Sequence, residues 1–327
     1  MFEQQLHELR QEKWRLNGQP VRTLDDARAF IDSVGFCLLY PRRPAVLVPT
    51  FVGAYKGTDE KLPTQQMAFA DSDAREAKAL MVRLLREKSA YEANVFPDNN
   101  FLVSASVFPY IYGMVGDRNP RQAPKPGARS EYSPLAVDAF HIVQKEGPIS
   151  KYRLRELLGG DISEAALDRA LDELWAKLRI TRVDYKHDEG VFWDVLFRWS
   201  PDAVRKGIQV SVPEAVTALV SKYLDCVVAA EPEQIEKFFG KLISRARVRE
   251  AINALQAARE LRFAHVGGRV MLQVSSSELP SAAEREFKPR PRFQPRPPTP
   301  GKPLVQHRPR RPAAAKPAPP KQDAGKE

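Results

Sequence analysis

Apolar residues recur at three- and four-residue spacing in several separate segments, with short apolar runs between them. Leu24, Ala27, Phe30, Ile31 and Val34 predict a helix that Thr23 and Asp26 open as a capping box and Gly35 closes. The run 36–40 is short and apolar and is stopped by Pro41. Ala77, Leu80, Met81, Leu84 and Leu85 predict a second helix over 73–88. The apolar stretch 101–115 contains Pro109, which argues against one continuous helix. Residues 116–130, GDRNPRQAPKPGARS, read as a linker with nothing to bury.

From Ser133 the pattern acquires a clear order. Ser133-Pro134 opens a helix with Ala136, Phe140, Ile142 and Val143 on one face, and Gly147-Pro148 ends it. Ser150 caps a short helix, Gly159-Gly160 turns the chain, and Ser163 caps a third helix carrying Leu167, Ala170, Leu171, Leu174, Trp175 and Leu178. Two strands, 180–185 and 191–198, flank the polar turn 186–190. The order then repeats about 75 residues later. It gives a helix over 213–226, a short helix from Glu231-Pro232 to Phe239, and a helix over 245–260 capped by Ser244. The strands 261–266 and 269–274 come next, joined by Gly267-Gly268. Three helices and a hairpin are the order of a winged helix-turn-helix. The expected fold class is α+β, mostly α, with tandem winged helix-turn-helix domains. The expected boundaries are a mostly helical domain over 1–115, the linker 116–130, winged helices over 131–205 and 206–275, and a disordered basic Pro/Arg-rich tail over 276–327.

Composition sharpens the last boundary. The chain of 327 residues has a net charge of +10. Residues 280–327 hold 13 of the 28 prolines and a net +8, so the rest carries only +2. No apolar run approaches the ~18 residues of a membrane span, and the N-terminus MFEQQLHELRQEK lacks the apolar core of a signal peptide. Cys37 and Cys226 sit in apolar contexts, which fits small buried residues in a reducing compartment. The five histidines show no metal-ligand spacing, and no phosphate-cradling glycine loop, GxSxG or CxxC occurs. No cofactor or metal is expected.

The segments VGFCLLYP and LLREKSAY, and the run from YSPLAVDAFHIVQKEGPIS through RALDEL to VFWDVLFRW, resemble AlkZ-like winged-helix proteins over about residues 23–274. These are bacterial DNA glycosylases that unhook alkylated or crosslinked bases, together with shorter relatives. The resemblance implies tandem winged helices around a DNA-binding concavity, and a degenerate winged helix in the first block. It also implies a catalytic pair, Gln-x-Gln or Gln-x-Asp, after a glycine-ended helix and, in the Gln-x-Asp form, before a proline. Gly35 and Pro41 set that pattern on Leu38 and Tyr40. Leu38 can neither position water nor stabilise a sugar cation, and Tyr40 is a poor substitute for a carboxylate or amide. Gln65-Gln66 lies too far along the chain to be the pair. The sequence thus points to the scaffold without the known catalytic residues.

Three functions are compatible with these features. The first is a bacterial, cytoplasmic, non-catalytic protein that binds double-stranded DNA. Arg245, Arg247, Arg249, Asn253, Gln256 and Arg259 crowd the third helix of the last block, with Arg249, Asn253 and Gln256 on one face. These side chains reach base edges or phosphates. Arg269 in the following hairpin is a phosphate candidate. Arg290, Arg292, Arg308, Arg310 and Arg311 alternate with proline in an extended arm that binds nucleic acid by counterion release, or that offers a ligand to a proline-reading domain. The second function is a DNA glycosylase acting through other residues. The third is a protein-interaction scaffold, since the third helix of the middle block shows Glu164, Asp168, Asp172 and Glu173 against Arg169 and Lys177, an acidic face that phosphates repel. Trp175, Trp193 and Trp199 read as core.

Overall fold

One order of elements occurs three times in the computed structural model: a helix, a short strand segment, two helices and a hairpin. The structure describes residues 2–96, 99–125, 131–240, 242–277 and 279, with the backbone alone at Asn99 and Asn100. About half of the described residues are helical, and the sheets are small and antiparallel. The described residues fall in one compact unit. The Pro/Arg-rich segment with Arg290, Arg292, Arg308, Arg310 and Arg311 lies outside the described residues.

An N-terminal helix, α1 (Phe2–Lys13), precedes the first block. That block comprises α2 (Leu24–Val34), β1 (Phe36–Leu38), α3 (Phe51–Lys56), α4 (Ser72–Arg86), β2 (Ala90–Phe96) and β3 (Asn99–Ser104). After α5 (Phe108–Val115) comes the second block: α6 (Pro134–Glu146), β4 (Ile149–Ser150), α7 (Lys151–Leu157), α8 (Glu164–Ala176), β5 (Ile180–Lys186) and β6 (Gly190–Val195). Helices α9 (Leu196–Trp199) and α10 (Pro201–Gln209) lead to the third: α11 (Val212–Val227), α12 (Pro232–Phe239), α13 (Arg245–Ala257), β7 (Leu261–Val266) and β8 (Arg269–Val274). In each block the early strand pairs with the second strand of the hairpin. The sheet orders are β1-β3-β2 and β4-β6-β5, and in the third block the early strand shrinks to one bridge from Ala230 to Leu272 of β8.

The three third helices end alike. Lys88, Leu178 and Arg259 take φ of +60°, +52° and +59°, and the next residue's N–H donates to the carbonyl of Leu84, Leu174 or Leu255 at 3.0, 2.9 and 2.9 Å. This is a Schellman-type stop with a left-handed residue. It fixes the angle at which each hairpin leaves its helix. The beginnings match the sequence: Thr23 and Asp26 form a reciprocal capping box, and Ser133, Ser150, Ser163 and Ser244 each cap the helix they precede. The stretch 101–115 divides into strand and helix, with Pro109 in the first turn of α5. The run 191–198 is not one strand. It bends into α9 at Leu196, where Arg198 turns back to Asp194 and to the carbonyls of Val143, Gln144 and Gly147.

Packing ties the blocks together unequally. A continuous core joins the first and third, and the second has its own. Phe36 of β1 stacks on Tyr223 of α11 and Phe238 of α12, at 6.3 and 5.6 Å between ring centres. Helix α1 has few apolar residues and is held from outside. Leu6 is buried against the last hairpin, Arg10 donates to the carbonyls of Val227 and Ala229, and Trp14 donates to that of Cys226. Helices α5 and α10 meet at glycines, where a Cβ on Gly207 would lie 2.7 Å from the Tyr112 Cβ and 2.9 Å from the Pro109 carbonyl. Residues 116–125 are anchored as well. Arg118 donates to the carbonyl of Ile208, and the buried Arg179 binds Asp117 and the carbonyls of Asn119 and Gln122.

Candidate nucleic-acid interface

The three third helices have different fates. Helix α8 is turned into the molecule. Its Trp175 indole donates to the carbonyl of Glu92 at 3.2 Å. Glu92, buried on β2, accepts from the Tyr185 hydroxyl and lies 3.5 Å from Arg182. The Arg182 guanidinium lies over the rings of Trp175 and Trp193, at 4.0 and 5.1 Å. A desolvated cation on two indoles contributes about 2 kcal/mol or more. The acids of α8 have partners within the chain. Asp168 pairs with Lys151 at 2.6 Å, Glu164 faces Lys151 and Arg155, Asp172 accepts from Asn94, and Glu173 accepts from the Ser133 N–H. The acidic face expected from sequence is therefore exposed at Glu164, Asp168 and Asp172, but each acid has a partner within the chain.

Helix α4 is half covered. Arg86 pairs with Asp184 at 2.7 Å and Lys78 lies over the Tyr185 ring, so one stripe meets β5. Arg75, Ala79 and Arg83 form the adjoining stripe, which is exposed. The two arginines are readable as an i, i+8 pair about Ala79, but Glu76 between them in sequence masks the pattern.

Helix α13 is open. Val248, Ala251, Ile252 and Leu255 are buried on one face. Arg245, Arg247, Arg249 and Asn253 are exposed and Gln256 is half-buried. Among the described residues, the guanidinium groups of Arg245 and Arg247 have no ion-pair partner. Arg249 is engaged: its Nε and Nη2 donate to the two oxygens of Glu236 on α12 at 2.6 and 3.2 Å. That hydrogen bond holds the Glu236 carboxyl below its ordinary range and raises the Arg249 guanidinium. Arg269 is engaged too, 3.2 Å from Glu231 at the start of α12. Arg259 stands apart from the first arginines by about 21 Å of helix. It lines an open groove of about 950 Å³ with Ser106, Tyr110, Thr217 and Lys222. Arg245, Arg249 and Asn253 thus follow one stripe of α13 at four-residue spacing, Arg247 lies on its other flank, and Arg259 and Arg269 stand elsewhere.

At the positions where the resemblance sets a catalytic pair, Leu38 is buried in β1, paired with Phe101, and its N–H donates to the Pro49 carbonyl at 3.0 Å. Tyr40 is half-buried, and burial, followed by the charges of Glu92 and Asp71, raises its phenol above the ordinary value. Cys37 and Cys226 are fully buried, which pushes the Cys226 thiol up to about 12. Trp175 and Trp193 are core, and Trp199 is half-buried beneath Lys88. Among the described residues no cluster of His, Cys, Asp and Glu could hold a metal, and no helix is long and apolar enough to cross a membrane.

The family model for AlkZ-like DNA glycosylases matches residues 61–294. The chain therefore belongs to the AlkZ-like family of DNA glycosylases. Among solved structures, the fold is similar to that of DNA glycosylase AlkZ from Streptomyces sahachiroi, with a TM-score of 0.54 and 14% identity over 84% of this chain and 70% of that one. No curated protein sequence matches the chain.

Proposed function

We propose that the chain is a double-stranded-DNA-binding member of the AlkZ-like family, built of three winged helices and working without the family's catalytic pair. Helix α13 of the third block is its main contact, through Arg245, Arg247, Arg249 and Asn253, with Gln256, Arg259 and Arg269 as flanking contacts. The observation that carries this reading is that α13 keeps a basic exposed face, with Arg245 and Arg247 lacking ion-pair partners among the described residues, while the exposed face of α8 is acidic. The repeated strand order and helix ends support three winged helices, including one in the first block. The arginines of the Pro/Arg-rich tail add affinity without sequence preference. The family name and the half-buried Tyr40 near Glu92 and Asp71 favour a second reading, a glycosylase that acts on alkylated or crosslinked bases. The protein-scaffold reading loses its main support, because the acids of α8 already have partners in the chain.

Salt-dependent duplex binding by the full chain and by the chain ending at Leu279 tests the first reading. Binding by both at low salt is expected, and binding by neither overturns it. Incubation with alkylated and crosslinked duplex, followed by assay for abasic sites, tests the second. Release of bases above background would make Tyr40 and its neighbours catalytic candidates.

A further inference from the structure

The segment between α3 and α4 places two large apolar side chains in water. Phe69 is 79% exposed and Met67 64%. They are not on a loose loop. Pro63 and Ala68 are buried beneath them, and successive turn bonds brace the backbone: Met67 N–H to Thr64, Ala70 N–H to Met67 and Asp71 N–H to Ala68, at 3.0, 3.1 and 3.3 Å. The short turn Ala68–Ala70 thus holds Met67 and Phe69 outward, with the exposed Gln65 and Gln66 just before them. Large apolar groups held outward in a braced turn are unfavourable in water and need a partner of some kind.

The helix that the turn leads into indicates that partner. Asp71 caps α4, the third helix of the first block, so the apolar pair stands at the mouth of that helix. The exposed stripe of α4 carries Arg75 and Arg83 on either side of the small Ala79, and neither guanidinium has an ion-pair partner among the described residues. The acids nearby are occupied. Lys56 holds Asp71 and Asp73 at 2.8 and 3.6 Å, and the Tyr55 hydroxyl donates to Glu76. An apolar tip followed by free cations along one helix stripe matches a duplex, whose base steps accept apolar wedges and whose backbone accepts arginines.

We propose that Met67 and Phe69 form a wedge that enters the base stack of bound DNA, with Arg75 and Arg83 holding the phosphates beside it. The inference rests on the DNA-binding reading above and adds a second contact, distinct from α13, that distorts the duplex.

The test uses the full chain and a duplex carrying 2-aminopurine, either intact or beside a tetrahydrofuran abasic analogue. Binding by the unaltered protein should raise 2-aminopurine fluorescence, most at the abasic analogue, where unstacking costs least. The pair Met67→Ala with Phe69→Ala should abolish the rise and weaken binding about tenfold, whereas Phe69→Trp should preserve both. Arg75→Gln with Arg83→Gln should reduce the salt dependence by about two phosphates. Equal fluorescence and affinity in the double-alanine variant would overturn the wedge and leave the DNA-binding reading intact. Absence of duplex binding by the unaltered protein would overturn both. All four positions are exposed, so these changes leave the core untouched.

Discussion

The salt dependence of DNA binding can be worked out from the ion pairs of α13. Each phosphate neutralised on a duplex contributes about −0.9 to the slope of log affinity against log salt. Arg245 and Arg247 have no ion-pair partner among the described residues, whereas Arg249 is held by Glu236 and Arg269 by Glu231. Arg75 and Arg83 on α4, likewise without ion-pair partners among the described residues, add two more, so the chain ending at Leu279 should give a slope of about −4. Residues 280–327 carry a net +8, which adds about −7 and brings the full chain to about −11. A fourfold rise in salt would then cost the shortened chain on the order of 10²-fold in affinity and the full chain on the order of 10⁶-fold. Glu236→Gln should release Arg249 and steepen the shortened chain's slope by about one phosphate. Fluorescence anisotropy of a labelled duplex over a potassium chloride series measures all three. An unchanged slope for the shortened chain with Arg245→Ala and Arg247→Ala, or a flatter one with Glu236→Gln, would refute these assignments.

Further predictions concern the scaffold. Gly207→Ala should destabilise by about 1–3 kcal/mol in urea titration, because the new methyl meets the Tyr112 Cβ and the Pro109 carbonyl. On an open helix the same change would gain roughly 1 kcal/mol, so a stabilised variant would contradict the close approach of α5 and α10. Glu92→Leu should cost about 3 kcal/mol, since it leaves the largely buried Arg182 without its counter-charge. A loss under about 1 kcal/mol would mean that water reaches the pair. For Asp225, burial pushes the carboxyl up, but hydrogen bonds from Lys13 and Lys222 outweigh it and hold the group below its ordinary value. A carboxyl with a depressed folded pKa adds stability above its unfolded value and loses it as pH falls through the folded one. Asp225→Asn should thus cost about 1 kcal/mol at neutral pH, after discounting for exposure. The difference from the unaltered chain should shrink below the usual carboxylate range, and a gap that persists there would assign the effect to packing.

The parts legible in the sequence are those that a single side chain announces. Thr23, Ser133, Ser150, Ser163 and Ser244 cap helices where they stand, and Gly267-Gly268 turns its hairpin. The features that were not legible depend on distant partners. Helix α1 has a weak apolar pattern and is held by Leu6, Arg10 and Trp14 on the third block. Strand β2 carries Glu92 and Asn94, polar residues that break the strand pattern because they contact the second block. The left-handed helix ends use Lys88, Leu178 and Arg259 where glycine would have been the visible sign. Within the candidate site, the basic character of α13 was readable, but the capture of Arg249 by Glu236 joins two helices and has no local signal.

The near-neutral charge of the body hides an asymmetry that bears on function. Asp168, Asp172 and Asp184 are paired at contacts between elements or blocks, and Asp71 and Asp225 are held by lysines. Arg75, Arg83, Arg245 and Arg247 lie on exposed helix stripes without ion-pair partners among the described residues. A net charge counts both sets equally. A duplex approaching the surface meets chiefly the second, because its charges are neither neutralised at short range nor screened by neighbours. The acids of α8 stay at the surface, but Lys151 and Arg155 lie beside Glu164 and Asp168 and offset their charge at short range. Fixing the second block against the first also keeps Asp172 on Asn94 and Asp184 on Arg86, and loosening it at Glu92 and Arg182 should free these acids and weaken DNA affinity along with stability.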